Sequence, residues 1–153
     1  MSSNESLKTF LKDKKHRDET TGRAGEKEEK IRHRRNVIDE LFTSIQGWLK
    51  SSIEEGIVTV ERDAYALVDE QLGTLPLESM TVIVGASEVF FAPVGGTIAG
   101  ASARVDMVSG DQRVPIIWLP SRGWHFLIRG PVTRTEPVTE ESFGDALKEI
   151  LDE

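Results

Sequence analysis

Residues 93–106 read PVGGTIAGASARVD, with Gly95, Gly96 and Gly100 packed within six positions ahead of Arg104 and Asp106. Glycines at such density can cradle a phosphate, because a backbone without Cβ atoms lets its N–H groups approach an anion. A dinucleotide site needs G-x-G-x-x-G between a strand and a helix, and a Walker loop needs a lysine that reaches the phosphates. The spacing here is GGxxxG, no lysine lies between residues 51 and 147, and ASARVD continues as a strand pattern. We therefore read the stretch as a turn or bulge joining two strands, with Pro93 ending the first.

Other candidate groups are sparse. The histidines are His16, His33 and His125, two of them in a charged N-terminal segment, so a metal centre would have to combine one strand histidine with carboxylates. No metal site and no cofactor is expected. No G-x-S-x-G element occurs, and Ser87, Ser102, Ser109 and Ser121 fall at turns or strand ends. His125, between Trp124 and Phe126, reads as a partly buried histidine before it reads as a base. Arg104 and Asp106 share one face of a strand at i, i+2, the spacing of a surface or rim ion pair. Asp106 with Glu88 could begin a metal-dependent nuclease site, but no acidic-x-lysine element lies on a neighbouring strand. No catalytic residue is assigned.

The most suggestive cluster is IRHRRN at 31–36. Guanidinium forks hold phosphates and carboxylates bidentately, so Arg32, Arg34 and Arg35 are candidate partner-binding residues. Nucleic acid is one partner that such a helix segment could contact through backbone phosphates. Against that reading stand the interleaved Glu26, Glu28, Glu29, Asp39 and Glu40, which can pair with the arginines at helix spacing. A protein partner or a second copy of the chain fits better.

Charge follows the same division. The net charge is −7, but residues 1–56 carry 12 Lys/Arg against 11 Asp/Glu while residues 57–153 carry 7 against 15. An acidic body would repel a polyanion. With 153 residues the chain is long enough to bury a core without a staple, and it has no cysteine, which excludes disulfides and thiolate chemistry and points to a reducing, cytoplasmic setting. No run approaches a membrane span, and the N-terminus has no apolar signal-peptide core.

These groups must be positioned by an α+β scaffold. Residues 1–25 read as a flexible charged arm: a short amphipathic helix on Leu7, Phe10 and Leu11, then the connector DETTGRAG at 18–25. A single domain is expected over 26–153. From Glu26 to Glu55 the apolar residues Ile31, Ile38, Leu41, Phe42, Ile45, Trp48, Leu49 and Ile53 form one stripe, with Gly56 as stop. Gly47 would let a neighbour pack beside Trp48. Such a helix spans ~45 Å against ~27 Å for a strand, so its N-terminal end should overhang the sheet.

Period-two patterning follows over 57–61, 64–70, 78–86, 88–94, 102–109, 113–119 and 124–130, separated by GAS, SGD and SRG turns. Short connections require antiparallel neighbours, so the sheet is a meander of five to seven strands, with barrel-like closure as one option. A C-terminal helix capped by Thr139 presents Phe143, Leu147, Ile150 and Leu151 to it. One sheet face carries Val114, Ile116, Trp118, Trp124, Phe126 and Ile128. The other carries Ile117 and Leu127, with Ile83, Phe90 and Val108 as candidates to join them, and is more apolar than a solvated face should be. Curvature covers it, or a partner does, or the N-terminal segment does, so Ile117 and Leu127 are further candidate partner-binding residues. The expected function is a non-catalytic protein-interaction module, an accessory or adaptor subunit of an intracellular assembly. The alternatives are a nucleic-acid-binding accessory protein using residues 31–36 and a small enzyme with a site near the 95–106 turn.

Overall fold

A computed structural model describes residues 3–95 and 100–151, with the side chains of 3–6 and 13–24 left aside. Residues 96–99, including Gly96, lie outside the described residues, so the reading of that stretch as a turn falls there too. The chain divides into two compact units, Met1–His33 and Arg34–Glu153. Helix α1 is assigned over Ser3–Trp48, so the DETTGRAG stretch read as a connector is helical. In the second unit, Val37, Ile38, Leu41, Phe42 and Ile45 are buried, which is the dense part of the expected stripe.

At Leu49 the backbone departs from ideal helix (φ −92°, ψ 0°) before the short α2, Lys50–Glu54. Gly56 then adopts φ +75° and ends the helical region as its sequence suggests. Gly47 has no neighbour within 4 Å of an added Cβ, so close packing does not explain it. Trp48 packs instead against Phe143, with ring centroids 5.6 Å apart.

Seven strands follow in an open antiparallel meander ordered as in the chain: β1 Thr59–Asp69, β2 Gly73–Val84, β3 Ser87–Pro93, β4 Ala103–Ser109, β5 Gln112–Leu119, β6 Gly123–Ile128 and β7 Arg134–Pro137. Helix α3, Glu140–Leu151, completes the unit. The two segments read at 57–61 and 64–70 are one strand, and β2 begins five residues earlier than the alternation suggests, running through Pro76. That half of β2 pairs with β1 alone, and a proline is tolerated where no second ladder claims its N–H. The β2–β3 and β4–β5 hairpins turn on two residues each. Gly85 and Gly110 take the positive φ at their first turn positions.

The helices cover one sheet face. Phe91 meets Phe42 of α1 edge-on and Phe143 of α3, and Trp124 donates its indole N–H to the Val37 carbonyl at 3.0 Å. Arg62 of β1 ties the sheet to α1. Its guanidinium donates to Asp39 (2.6 Å), Gln46 (3.2 Å) and Glu78 (2.8 Å) and lies over the Phe42 ring.

Part of the opposite face is buried as well, although Phe90 on it is exposed. Register places Leu75, Leu77, Asp106, Ile117, His125 and Leu127 on it, and all are buried. The ring contacts of α1 and α3 lie on the first face, so the sheet's own curvature supplies this cover. Two contacts mark the curl: Tyr65 packs edge-on against Phe90, and Gly95, beyond β3, lies where an added Cβ would be 3.2 Å from the Val68 carbonyl. The tip of the β1–β2 hairpin thus folds back over the strands that follow.

Candidate functional site

The residues singled out from the sequence separate by environment. Arg34 is partly buried and donates to the Asp69 carboxylate at 3.1 Å, a contact that joins α1 to the end of β1. Asp69 also accepts from the Gln71 and Leu72 N–H groups. Burial pushes the Asp69 carboxyl up, but those two N–H groups and the Arg34 guanidinium outweigh it and hold it below its ordinary range. Arg34 is therefore engaged within the fold. Arg32, in the first unit, and Arg35, in the second, are exposed.

Ile117 and Leu127 are 2% and 8% exposed. Both side chains are thus buried within the fold rather than exposed on a free sheet face. His125 is also buried there, with its Nδ1 3.0 Å from the Gly123 carbonyl. A carbonyl only accepts, so Nδ1 carries the proton in this contact. Glu88 is exposed, and no grouping of three or more His, Asp or Glu suited to a metal occurs among the described residues.

Arg104 and Asp106 do form the expected pair, but not at a rim. Asp106 is fully buried and accepts from Arg104 Nε at 2.7 Å and Nη2 at 3.0 Å. Its second oxygen also accepts from Arg113 Nη1 at 2.5 Å. The third member comes from β5, where Arg113 pairs with Val108, two positions from the Asp106–Pro115 pair. One buried carboxylate thus steadies two guanidiniums, and the Arg113 side chain is nevertheless 57% exposed.

That arginine stands at the mouth of a cleft of about 590 Å³, lined by β4, β5, β6, β7 and α3. Its origin lies in the ladder. The β5–β6 pairing runs from Leu119–Gly123 to Ile116–Phe126 and stops one pair short of Pro115 and Leu127. Direction follows from strand alternation: the Trp118 carbonyl accepts from Ser102 on the β4 side and the Leu119 carbonyl accepts from Arg122 on the β6 side. Odd-numbered residues of β5 therefore address β6, and Pro115 lacks the N–H that the next bond would use.

Past this point no further β5–β6 pair forms, and residues of both strands line the cleft. Arg104, Arg113 and Arg129 line it, as do Glu136 of β7 and Asp145 and Glu149 of α3. Apolar groups line it too, Val114, Leu127 and Ile150 among them. No ion pair crosses from the arginines to the α3 carboxylates among the described residues.

The first unit offers a different feature. Leu7, Phe10 and Leu11 fall at i, i+3 and i+4 of α1 and are 57%, 57% and 53% exposed. Lys8 and Lys12 beside them are exposed too. No helix among the described residues is long and apolar enough to cross a membrane. No protein-family model matches this chain, and no curated protein or solved structure is significantly similar to it.

Proposed function

We propose that this protein is a non-catalytic interaction module that engages a protein partner through the Leu7, Phe10 and Leu11 stripe of its N-terminal helix. The observation that carries this reading is the exposure of three large apolar side chains on one helix face. A helix docked in a groove uses such i, i+3, i+4 anchors. Each such side chain contributes about 1.5–3 kcal/mol when it passes from full exposure to full burial, so three half-exposed ones supply a useful fraction of a specific interface. Lys8 and Lys12 give the partner's groove its chemistry: an apolar floor with acidic residues at the rim.

Affinity capture with the full chain and with a Leu7→Asp, Phe10→Asp, Leu11→Asp variant tests this, combined with light scattering on both. The expected result is a protein retained by the wild type and lost by the variant. A second copy filling the groove appears instead as a dimer that the variant dissociates. Identical retention and identical mass for the two proteins overturn the reading. A nucleic-acid role is the second reading, supported by the exposure of Arg32 and Arg35. It requires binding that weakens steeply with salt and is reduced by Arg32→Ala and Arg35→Ala.

A further inference from the structure

The geometry points to a second binding site, independent of the N-terminal helix: the cleft beyond the end of the β5–β6 ladder takes a short extended peptide bearing both an acidic and a basic side chain. Three features of the cleft converge on that ligand. Its volume of about 590 Å³ is that of a ligand site. Its β5 wall presents unpaired strand edge, because Arg113, an odd-numbered residue, addresses β6 with its backbone N–H and carbonyl where no β6 residue is paired to it. An extended backbone satisfies such groups by adding a strand.

Charge supplies the remaining specificity. Arg113 is held by the buried Asp106, so its exposed guanidinium is oriented before any ligand arrives and loses less freedom on binding. Arg129 adds a second guanidinium, and it makes no ion pair with another described residue. Asp145 and Glu149 face the cleft from consecutive turns of α3. A carboxylate side chain of the peptide pairs with the arginines, and an ammonium pairs with the two α3 carboxylates. The apolar lining groups receive small β-branched residues. A polyanion would meet the carboxylates and a polycation the arginines, so each is disfavoured by one set of charges.

The probes are acetyl-Lys-Val-Thr-Val-Asp-amide and its reverse sequence, titrated into the isotope-labelled full chain and followed by amide chemical shifts. At least one orientation is expected to give saturable shifts at Arg113, Leu127 and Ile128. The binding should weaken about fivefold in Arg129→Glu and in Glu149→Lys, the range of a solvent-exposed charge contact. Neither substitution removes an ion pair found among the described residues, so both variants should fold. Methylating the central peptide nitrogen should abolish binding, and Arg129→Glu should raise affinity for the doubly basic analogue. Absence of shifts at millimolar peptide, equal binding of the N-methylated peptide, or equal binding of the doubly acidic analogue would each overturn the assignment.

Discussion

Asp106 has no solvent to share its charge with, and two guanidiniums take that place. Replacing it by Asn keeps the shape but leaves Arg104 and Arg113 without an anion. Breaking a buried ion pair costs about 3–5 kcal/mol, and the lower end applies here because Arg113 is largely exposed and rehydrates. Asp106→Asn is therefore expected to lower the unfolding free energy by about 3 kcal/mol in urea titration; a loss under about 1 kcal/mol would mean the cluster is not a structural centre. Asp69 gives a pH-dependent counterpart. Its folded pKa is lowered, so its contribution is complete above the unfolded value near 3.9 and disappears as pH falls through the folded value. Asp69→Asn should cost about 1–3 kcal/mol at pH 7, because Arg34 loses a charged acceptor while the Gln71 and Leu72 N–H groups keep a neutral one. The difference from wild type should begin to narrow as pH falls below about 4. A gap unchanged between pH 7 and pH 3 would place the effect in packing instead.

At the scale of elements, Pro115 has the clearest assignment, since it ends the β5–β6 ladder. Pro115→Val restores an N–H aimed at Leu127, and the strands should pair one step further. The new amide at position 115, donating to the Leu127 carbonyl, is expected to exchange slowly, with a gain of about 0.5–1.5 kcal/mol for the added bond. Fast exchange of that amide would show that the ladder ends there for a reason other than the missing donor. Much of this architecture is legible in the sequence: the period-two segments, the glycine turns and the Val37–Ile45 stripe fall where the structure has them. The omissions have physical causes. β7, Arg134–Pro137, has four residues and no apolar alternation, and Pro76 masks the early half of β2. Thr20, Thr21, Gly22 and Gly25 have low helix propensity, so the helix through them carries no local signal. The cleft was hidden for another reason: Pro115 is visible in the sequence, but only the ladder direction shows which neighbour loses a bond. Likewise Arg113 joins Asp106 only once the β4–β5 register is known.

At the scale of the whole molecule, charge divides along the chain. Residues 8–35 hold 11 Lys/Arg against 6 Asp/Glu, while residues 57–153 are strongly acidic. Large apolar side chains are exposed in both parts, Leu7, Phe10 and Leu11 in one and Ile57, Val68, Phe90 and Val132 in the other. Ile57, Val68, Phe90 and Val132 are spread along the sequence, whereas Leu7, Phe10 and Leu11 share one helix face, and that shifts the weight of the interaction to them. Because these three are more than half exposed, replacing them by Asp should change the unfolding free energy by less than about 0.5 kcal/mol per site. The same replacement should abolish partner capture, so stability and binding separate in one variant. Salt distinguishes the two contributions to binding. Raising ionic strength to about 1 M shortens the screening length to ~3 Å and removes the attraction of Lys8 and Lys12 for an acidic rim, while burial of the apolar stripe persists. Capture should therefore weaken between low and high salt without vanishing. Complete release by salt alone, with the triple variant binding as the wild type does, would assign the contact to charge and return the 31–36 arginines to the centre of the problem.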